Sequence, residues 1–173
     1  FVGRSLINIS GMSFGAISKP AVRALSRGAA AAGCWMDTGE GGLSPYHLEG
    51  GGDIIFQIGT AKYGVRDASG ALSPEKLREV AAHENVRAFE IKLSQGAKPG
   101  KGGVLPAGKV TEEIARIRGI PMGQDSLSPN RHRDIANMTQ LLDMVERVRD
   151  ITGKPVGIKT AIGGWHFMND LAE

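Results

Sequence analysis

Two lysines stand at the ends of short apolar segments of the chain. Lys92 ends the segment 90–92, and Lys159 ends the segment 157–159. A buried lysine is costly without an anionic partner. Because α/β folds bind their ligands at the carboxyl ends of strands, both ammonium groups are candidates for holding an anionic ligand or cofactor.

Glycine-rich loops follow the predicted strands and carry further polar groups. Residues 92–103 contain three lysines and four glycines, which favours a dianionic ligand, although such a loop is also typical of a solvated face. Residues 37–42 place the Glu40 carboxylate between glycines, as an acid–base or substrate group or in a solvated turn. Residues 11–15 form an ordinary turn or approach a planar ligand, and they match neither a dinucleotide motif nor a P-loop.

The composition excludes several classes of protein. The 21 lysines and arginines exceed the 18 acidic residues by only three and are scattered, which argues against nucleic-acid binding. The single cysteine, Cys34, rules out a disulfide framework and an iron–sulfur cluster ligated within this chain. The four histidines lack metal-ligand spacing, so we predict no metal site. Without a recognisable signal peptide or a membrane-spanning apolar stretch, we expect a cytoplasmic protein.

Short apolar strands alternate with amphipathic helices along the chain. The predicted strands are 5–10, 34–37, 53–58, 86–93 and 155–160. The predicted helices are 21–32 with Ser18 as N-cap and Gly33 as stop, 73–84, 111–118, 138–152 with Leu141, Leu142, Val145, Val148 and Ile151 on its apolar face, and the beginning of one at 167–173.

Strands that alternate with helices indicate parallel βα units, of which about four fit into a single domain over residues 1–173. A complete (β/α)₈ barrel takes about 250 residues, so a barrel would be present as roughly its N-terminal half. An open doubly wound sheet fits the length better, and the pattern alone leaves both folds open. Because the chain starts without Met and its last helix is interrupted, we expect a segment truncated at both ends.

Three motifs of the chain are distinctive: Gly-Met-Ser-Phe-Gly-Ala-Ile-Ser at 11–18, Thr-Gly-Glu-Gly-Gly at 38–42 and Gln-Gly-Ala-Lys-Pro-Gly at 95–100. Together they resemble the FMN-binding synthase domain of the glutamate synthase large subunit, in particular that of the stand-alone glutamate-synthase-like proteins. The resemblance implies a TIM barrel, here its N-terminal part, with FMN at the carboxyl ends of the strands. It also implies reduction of the imine that ammonia forms with 2-oxoglutarate or a similar 2-oxo acid.

The resemblance assigns roles to seven residues. The flavin contacts are Met12, Ser13, Gln57, Lys92 and Lys159, the substrate contacts are Gln95 and Glu40, and the catalytic residues are Lys159 and Glu40. Lys159 would lie near flavin N1, where a reduced flavin gathers negative charge. The family's phosphate-binding glycines and cluster cysteines would lie after residue 173, so we expect these 173 residues alone to bind FMN weakly.

Two segments on the expected substrate side depart from the family pattern. Residues 128–134 read Ser-Pro-Asn-Arg-His-Arg-Asp where glutamate synthases read Ser-Pro-Pro-Pro-His-His-Asp, and residues 162–166 form a different loop. The electron donor is not implied. An alternative is a non-catalytic binding or assembly subunit, completed by a partner chain or by a second copy of this one.

Overall fold

The computed structural model describes residues 3–95, 102–162, 164 and 166–172 of the chain. The strands are β1 Met36–Asp37, β2 Ile54–Ile58, β3 Val86–Lys92, β4 Gly103–Leu105, β5 Ser126–Ser128 and β6 Val156–Lys159. The helices are α1 Lys19–Ala32, α2 Pro45–Leu48, α3 Pro74–Ala81, α4 Glu112–Arg118, α5 Met138–Thr152 and α6 His166–Ala172, with a 3₁₀ turn at Ala107–Lys109. Among the described residues, no helix has the length and apolar character to cross a membrane.

Four parallel strands form the main sheet in the order β1-β2-β3-β6. This confirms the predicted α/β class with parallel βα units. The order follows the chain without reversal, as in a segment of a barrel, whereas a doubly wound sheet reverses its order at a switch point. The described sheet is compatible with part of a barrel, and the complete TIM barrel remains a prediction.

The helix boundaries follow the capping signals of the sequence. The Ser18 hydroxyl accepts a hydrogen bond from the backbone of α1, and Gly33 ends that helix in the left-handed conformation with φ +66°. Ser73 caps α3 in the same way. Asn137 begins α5 and Gly153, with φ +65°, ends it. These ends were predictable because a cap needs only a polar acceptor before the helix and a glycine after it.

The strand predicted at 5–10 is wrong. Only Ile9 makes an isolated parallel bridge, to Met36. Leu6 and Ile7 are exposed, so the apolar pattern of this segment is not covered by described residues. The Ser5 hydroxyl donates to the Ile7 carbonyl at 2.7 Å and accepts from the Ile7 N–H at 3.1 Å. Such local bonds give the backbone an alternative to strand pairing.

The glycine-rich and polar loops contain elements that periodicity does not reveal. The helix α2 lies in the loop 39–52 and is closed by a capping box between Ser44 and His47. The strands β4 and β5, which are distant in sequence, pair antiparallel as a separate two-stranded sheet. On α5, Leu142 is exposed and Met144 is buried in its place. The prediction that Leu142 belongs to the apolar face of this helix is therefore wrong.

Two apolar clusters hold the strands in place. The larger one lies between the sheet and the helices α3 and α5, and its aromatic pair Phe56–Phe89 has a centroid distance of 5.6 Å. The smaller one joins α1, α4 and the β4–β5 sheet through Phe14, Val22, Met36, Leu105 and Ile114. Burial of a large apolar side chain contributes about 1.5 to 3 kcal/mol, so these clusters fix the elements that carry the polar strand ends.

The helix α1 packs on the segment after α2 through a backbone contact that requires glycine. The Ser26 hydroxyl donates to the His47 carbonyl at 2.7 Å and accepts from the Gly50 N–H at 2.9 Å. A Cβ at Gly50 would lie 2.2 Å from the Ser26 carbonyl oxygen. Because that neighbour is helix backbone, it cannot move aside cheaply.

We predict opposite effects for two glycine-to-alanine substitutions. Gly50→Ala should lower the free energy of unfolding by about 1 to 3 kcal/mol because it overpacks this contact. Gly28→Ala, in α1 with no atom within 4 Å of the added methyl, should raise that free energy by about 0.5 to 1 kcal/mol. Urea denaturation of the full-length variants measures both, and equal effects of the two substitutions would contradict the backbone contact.

Candidate functional site

The register of the sheet brings the polar strand ends together. Gln57 of β2 lies opposite Glu90 of β3, and Lys92 of β3 lies opposite Lys159 of β6. All four positions are at or near the carboxyl ends of parallel strands, which face one edge of the sheet. The prediction that Lys92 and Lys159 each end a strand is confirmed, and the strand pairing places the two residues side by side.

Glu40 is held in a hydrogen-bonded network with two of the predicted residues. Gln95 Nε2 donates to Glu40 Oε1 at 3.0 Å and to Oε2 at 2.8 Å. Lys92 Nζ donates to Gln95 Oε1 at 2.9 Å and forms an ion pair with Glu40 Oε2 at 3.5 Å. The Glu40 and Lys92 side chains are each 17% exposed, so the pair is largely shielded but still reachable from solvent.

Glycines leave the space that the Glu40 side chain occupies. A Cβ at Gly59 would lie 2.5 Å from the Glu40 Cβ, and one at Gly103 would lie 3.3 Å from Glu40 Oε1. Gly39 has φ +66°, and a Cβ there would lie 2.6 Å from the Ser13 backbone nitrogen. The Thr-Gly-Glu-Gly-Gly segment therefore needs its first glycine both for backbone conformation and for contact with the first loop.

A second polar cluster lies around Gln57. Its Nε2 donates to Glu90 Oε1 at 2.6 Å and, more weakly, to Asp37 Oδ2 at 3.4 Å. Asp37 Oδ1 in turn accepts from the Gly39 N–H at 2.6 Å, which links this cluster to the turn before Glu40. Asp37 and Gln57 are each 2% exposed. Both carboxyl groups fix the orientation of the Gln57 amide.

Burial raises the pKa of Asp37 to about 7. The neighbouring carboxyl group of Glu90 acts in the same direction, whereas the Gly39 N–H and the positive charge of Lys159 act in the opposite one. Two carboxyl groups this close resist double ionisation in a buried site. The cluster therefore holds a proton more readily than two separate carboxyl groups would, and the positive charge of Lys159 favours its ionised form.

The first loop is positioned by its backbone. The Met12 N–H donates to the Asp37 carbonyl at 3.3 Å, and Ser13 lies against Gly39. The buried His47 ring places Nε2 at 2.9 Å from the Met12 carbonyl. Because burial lowers the pKa of His47, the neutral ring donates this hydrogen bond and its Nδ1 accepts from Ser44. Met12 and Ser13 thus lie beside the strand-end cluster, and their contact with a flavin stays a prediction.

Four polar groups at the site were not among the predicted site residues: Asp37, Glu90, Arg118 and His132. The buried His132 places Nε2 at 2.8 Å from the Lys92 carbonyl, and burial lowers its pKa. Arg118, 5% exposed, donates to Ser126 Oγ at 2.9 Å and to the Phe14 carbonyl at 3.5 Å. Its position at the end of a short helix gave no local signal, because both of its acceptors lie outside that helix and one of them is 104 residues away in the chain.

The seven predicted residues fall into three groups. Glu40, Lys92 and Gln95 contact one another, Gln57 and Lys159 belong to the Asp37–Glu90 cluster, and Met12 and Ser13 line the neighbouring loop. The lysines at 98 and 101 lie outside the described residues. Within the described ranges, no group of three His, Cys, Asp or Glu side chains could hold a metal ion.

The fold and the site define a class of protein. It is an α/β domain in which the carboxyl ends of parallel strands, and the loops that follow them, bring polar and charged side chains to one edge of the sheet: Glu40, Gln57, Lys92, Gln95 and Lys159. A family model described as the conserved region in glutamate synthase matches residues 4–168. The chain therefore belongs to the glutamate synthase family, as its motifs predict.

Curated relatives of the chain carry glutamate synthase names and support its place in this family. A glutamate synthase large subunit-like protein of Bacillus subtilis, YerD, is 46% identical over 172 residues, which are 99% of this chain and 33% of the relative. The archaeal-type glutamate synthase (NADPH) of Thermotoga sp. strain RQ2 is 39% identical over 90% of this chain and 28% of its own length. The archaeal glutamate synthase (NADPH) of Methanocaldococcus jannaschii is 38% identical over the same shares. The chain thus spans about a third of the length of the curated relatives it matches.

We predict that Asp37 makes stability depend on pH. Its folded pKa of about 7 lies above the value of 3.8 for an aspartate exposed to water, so the folded protein binds the proton more tightly than the unfolded one. The free energy of unfolding should therefore fall as pH rises from about 4 to about 7, by at most about 1.4 kcal/mol per pH unit. Asp37→Asn, which keeps the acceptor for Gly39, should gain stability relative to wild type across this window.

Urea denaturation of the full-length protein at pH 5, 6, 7 and 8 measures this difference. The exposed Asp143 of α5 supplies the matched control, Asp143→Asn, which should show no comparable change with pH. A difference between Asp37→Asn and wild type that stays constant from pH 5 to pH 8 would show that Asp37 does not hold the proton.

Proposed function

We propose that the protein is an FMN-dependent oxidoreductase of the glutamate-synthase type, which reduces the imine of a 2-oxo acid and ammonia to an amino acid. The observation that carries this proposal is the Glu40–Gln95–Lys92 network next to Lys159 at the strand ends. The relatives named glutamate synthase (NADPH) support the class of reaction. Because the chain covers about a third of those relatives, the activity is proposed for the full-length protein that contains it.

The polar groups around Gln57 fit the pyrimidine edge of a flavin, which offers an N–H donor beside carbonyl and ring-nitrogen acceptors. The Gln57 Nε2 is used by Glu90 and Asp37, so its carbonyl oxygen is the group left to accept from a ligand N–H. A Cβ at Gly11 would lie 3.0 Å from this Nε2, so glycine allows the first loop to pack closely against the amide. Gln57, with the loop residues Met12 and Ser13, would hold the ring.

Lys159 supplies the positive charge of this proposed site. It is half-buried at the end of β6, and it forms no ion pair with a carboxylate in the described part of the chain. Its ammonium donors are therefore available to acceptors of a bound flavin. A preorganised cation stabilises the negative charge that gathers at N1 and the C2 carbonyl on reduction.

Glu40, Gln95 and Lys92 form the proposed substrate side. Lys92 has three N–H donors. Two of them are directed at Gln95 and Glu40, and the third is left for a substrate carboxylate or the flavin. Gln95 holds both Glu40 oxygens, so that the carboxylate has a fixed direction in which to bind a cationic imine or ammonium nitrogen.

The overall reaction adds a hydride to the carbon of the protonated imine; the electron pair of the C=N double bond moves to the nitrogen, which keeps the proton it already carries, and the product is the amine. Reduced FMN, when bound, supplies the hydride. The residues of this chain bind the oxo acid, orient the imine and hold charge beside it, which are the contributions that positioning and preorganised electrostatics make to catalysis.

We expect Lys159→Met in the full-length protein to lower the midpoint potential of the flavin and to slow its reduction. Removal of one preorganised charge from such a site costs about 2.7 to 4 kcal/mol, which is roughly a hundred- to a thousandfold in rate. Redox titration and stopped-flow reduction measure the two effects. The exposed Lys109 supplies the control variant Lys109→Met, which should leave both values unchanged.

The opposing outcome is equally specific. If Lys159 only balances the buried carboxyl groups Asp37 and Glu90, Lys159→Met should lose stability while the midpoint potential stays at its wild-type value. A full-length protein without flavin absorbance would contradict the enzyme and favour the binding or assembly subunit.

We also expect Glu40→Gln to lower kcat/KM for amino-acid formation by about a hundredfold or more, with flavin content retained. The substitution keeps the shape of the side chain but removes the charge that Lys92 and Gln95 orient. Glu146→Gln, on the exposed face of α5, is the matched control. Wild-type turnover of Glu40→Gln would remove Glu40 from the proposed catalytic residues.

A further inference from the structure

A cavity of about 340 Å³ lies between the connection after β2 and the segment that follows β5. None of the seven predicted site residues lines it. Its lining residues are Thr60, Ala61, Lys62, Arg66, Ser69, Gly70, Ala71, Leu127, Pro129, Arg133 and Asp134. The volume is at the lower end of the range for small-molecule sites.

We propose that this cavity binds a small dianion, such as a dicarboxylate or a phosphate monoester, through residues other than Glu40, Gln95, Lys92 and Lys159 of the proposed active site. Three cations, Lys62, Arg66 and Arg133, surround a cavity to which only one carboxylate, Asp134, contributes. The lining therefore carries a net charge of +2, which a dianion would neutralise.

Lys62 is the unusual residue of this cavity. It is the one described residue other than glycine with a positive φ, at +54°, and it is only 4% exposed. The left-handed conformation is unfavourable for a residue with a Cβ, and a buried lysine adds a desolvation cost. A glycine would satisfy the backbone more cheaply, so the retained ammonium group points to a role for its charge.

The hydrogen bonds of Lys62 leave donors for a ligand. Its Nζ donates to Asp134 Oδ1 at 2.7 Å, and the other partner in this ion pair is 46% exposed. A lysine ammonium has three N–H donors, and no second acceptor for Lys62 is found in the described ranges. Two donors of a buried cation are thus available at the cavity.

The cavity also contains two arginines, Arg66 and Arg133, which the Lys62–Asp134 ion pair does not require. Lys62 and Asp134 alone would tie the two segments together. Arg66 nevertheless contributes its guanidinium next to Gly70, where a Cβ would lie 2.7 Å from Nη2, with a weak bond to the Ala61 carbonyl at 3.3 Å. Arg133 is exposed at the rim and forms no ion pair with a described carboxylate. Guanidinium groups bind carboxylates and phosphates with two parallel hydrogen bonds.

The test is isothermal titration of the full-length protein with inorganic phosphate and with succinate, and with neutral succinamide as the matched ligand. We expect at least one dianion to bind and succinamide not to bind. Arg133→Ala should weaken the binding about ten- to a hundredfold, whereas Arg116→Ala, an exposed arginine of α4 outside the cavity, should leave it unchanged. The dianion that binds with the higher affinity identifies the ligand class, phosphate or dicarboxylate.

Two further measurements separate this cavity from the proposed active site. Binding at the cavity should persist in Lys159→Met, so that loss of binding in that variant would assign the dianion to the first site and overturn the proposal. Lys62→Arg should retain binding better than Lys62→Met, because it keeps the charge. Absence of binding by both dianions, or equal effects of Arg133→Ala and Arg116→Ala, would also overturn it.

Discussion

The parallel pairing of β2, β3 and β6 is the constraint on which the rest of the site depends. One register places Gln57 opposite Glu90 and Lys92 opposite Lys159. Because side chains alternate between the faces of a strand, a shift of one residue would turn each of these groups to the other face. The apolar cluster between the sheet and the helices α3 and α5 makes such a shift costly, so packing far from the polar groups determines where they meet.

Within that frame, buried polar groups are arranged in linked pairs rather than singly. Glu40 is held by Gln95 and Lys92, and Asp37 shares the Gln57 amide with Glu90. A buried carboxylate without partners is expensive, and the hydrogen bonds that offset this cost also fix the directions of the side chains. The same contacts therefore stabilise the fold and preorganise the proposed site.

Glycines complete this arrangement by allowing the loops to approach the strand ends closely. Gly39 and Gly59 lie where a methyl group would collide with the Ser13 backbone or the Glu40 side chain. At the cavity lined by Lys62 the situation is the reverse. The backbone of Lys62 has a positive φ, which glycine adopts more easily, and yet the residue there carries a long charged side chain. Gly39 and Gly59 are therefore explained by the lack of space for a side chain, whereas Lys62 is explained by its charge.

The sequence by itself determined the α/β class, most helix ends and the strand-end positions of Lys92 and Lys159, because caps, periodicity and short apolar runs are local signals. Only the tertiary structure decided that Glu40 and Gln95 contact each other, that Asp37 is buried beside a second carboxyl group, and that the β4–β5 pair exists. These features join residues far apart in the chain. Hydrogen bonds between distant segments, and the burial that shifts a pKa, arise only when packing brings those segments together, so no local pattern records them.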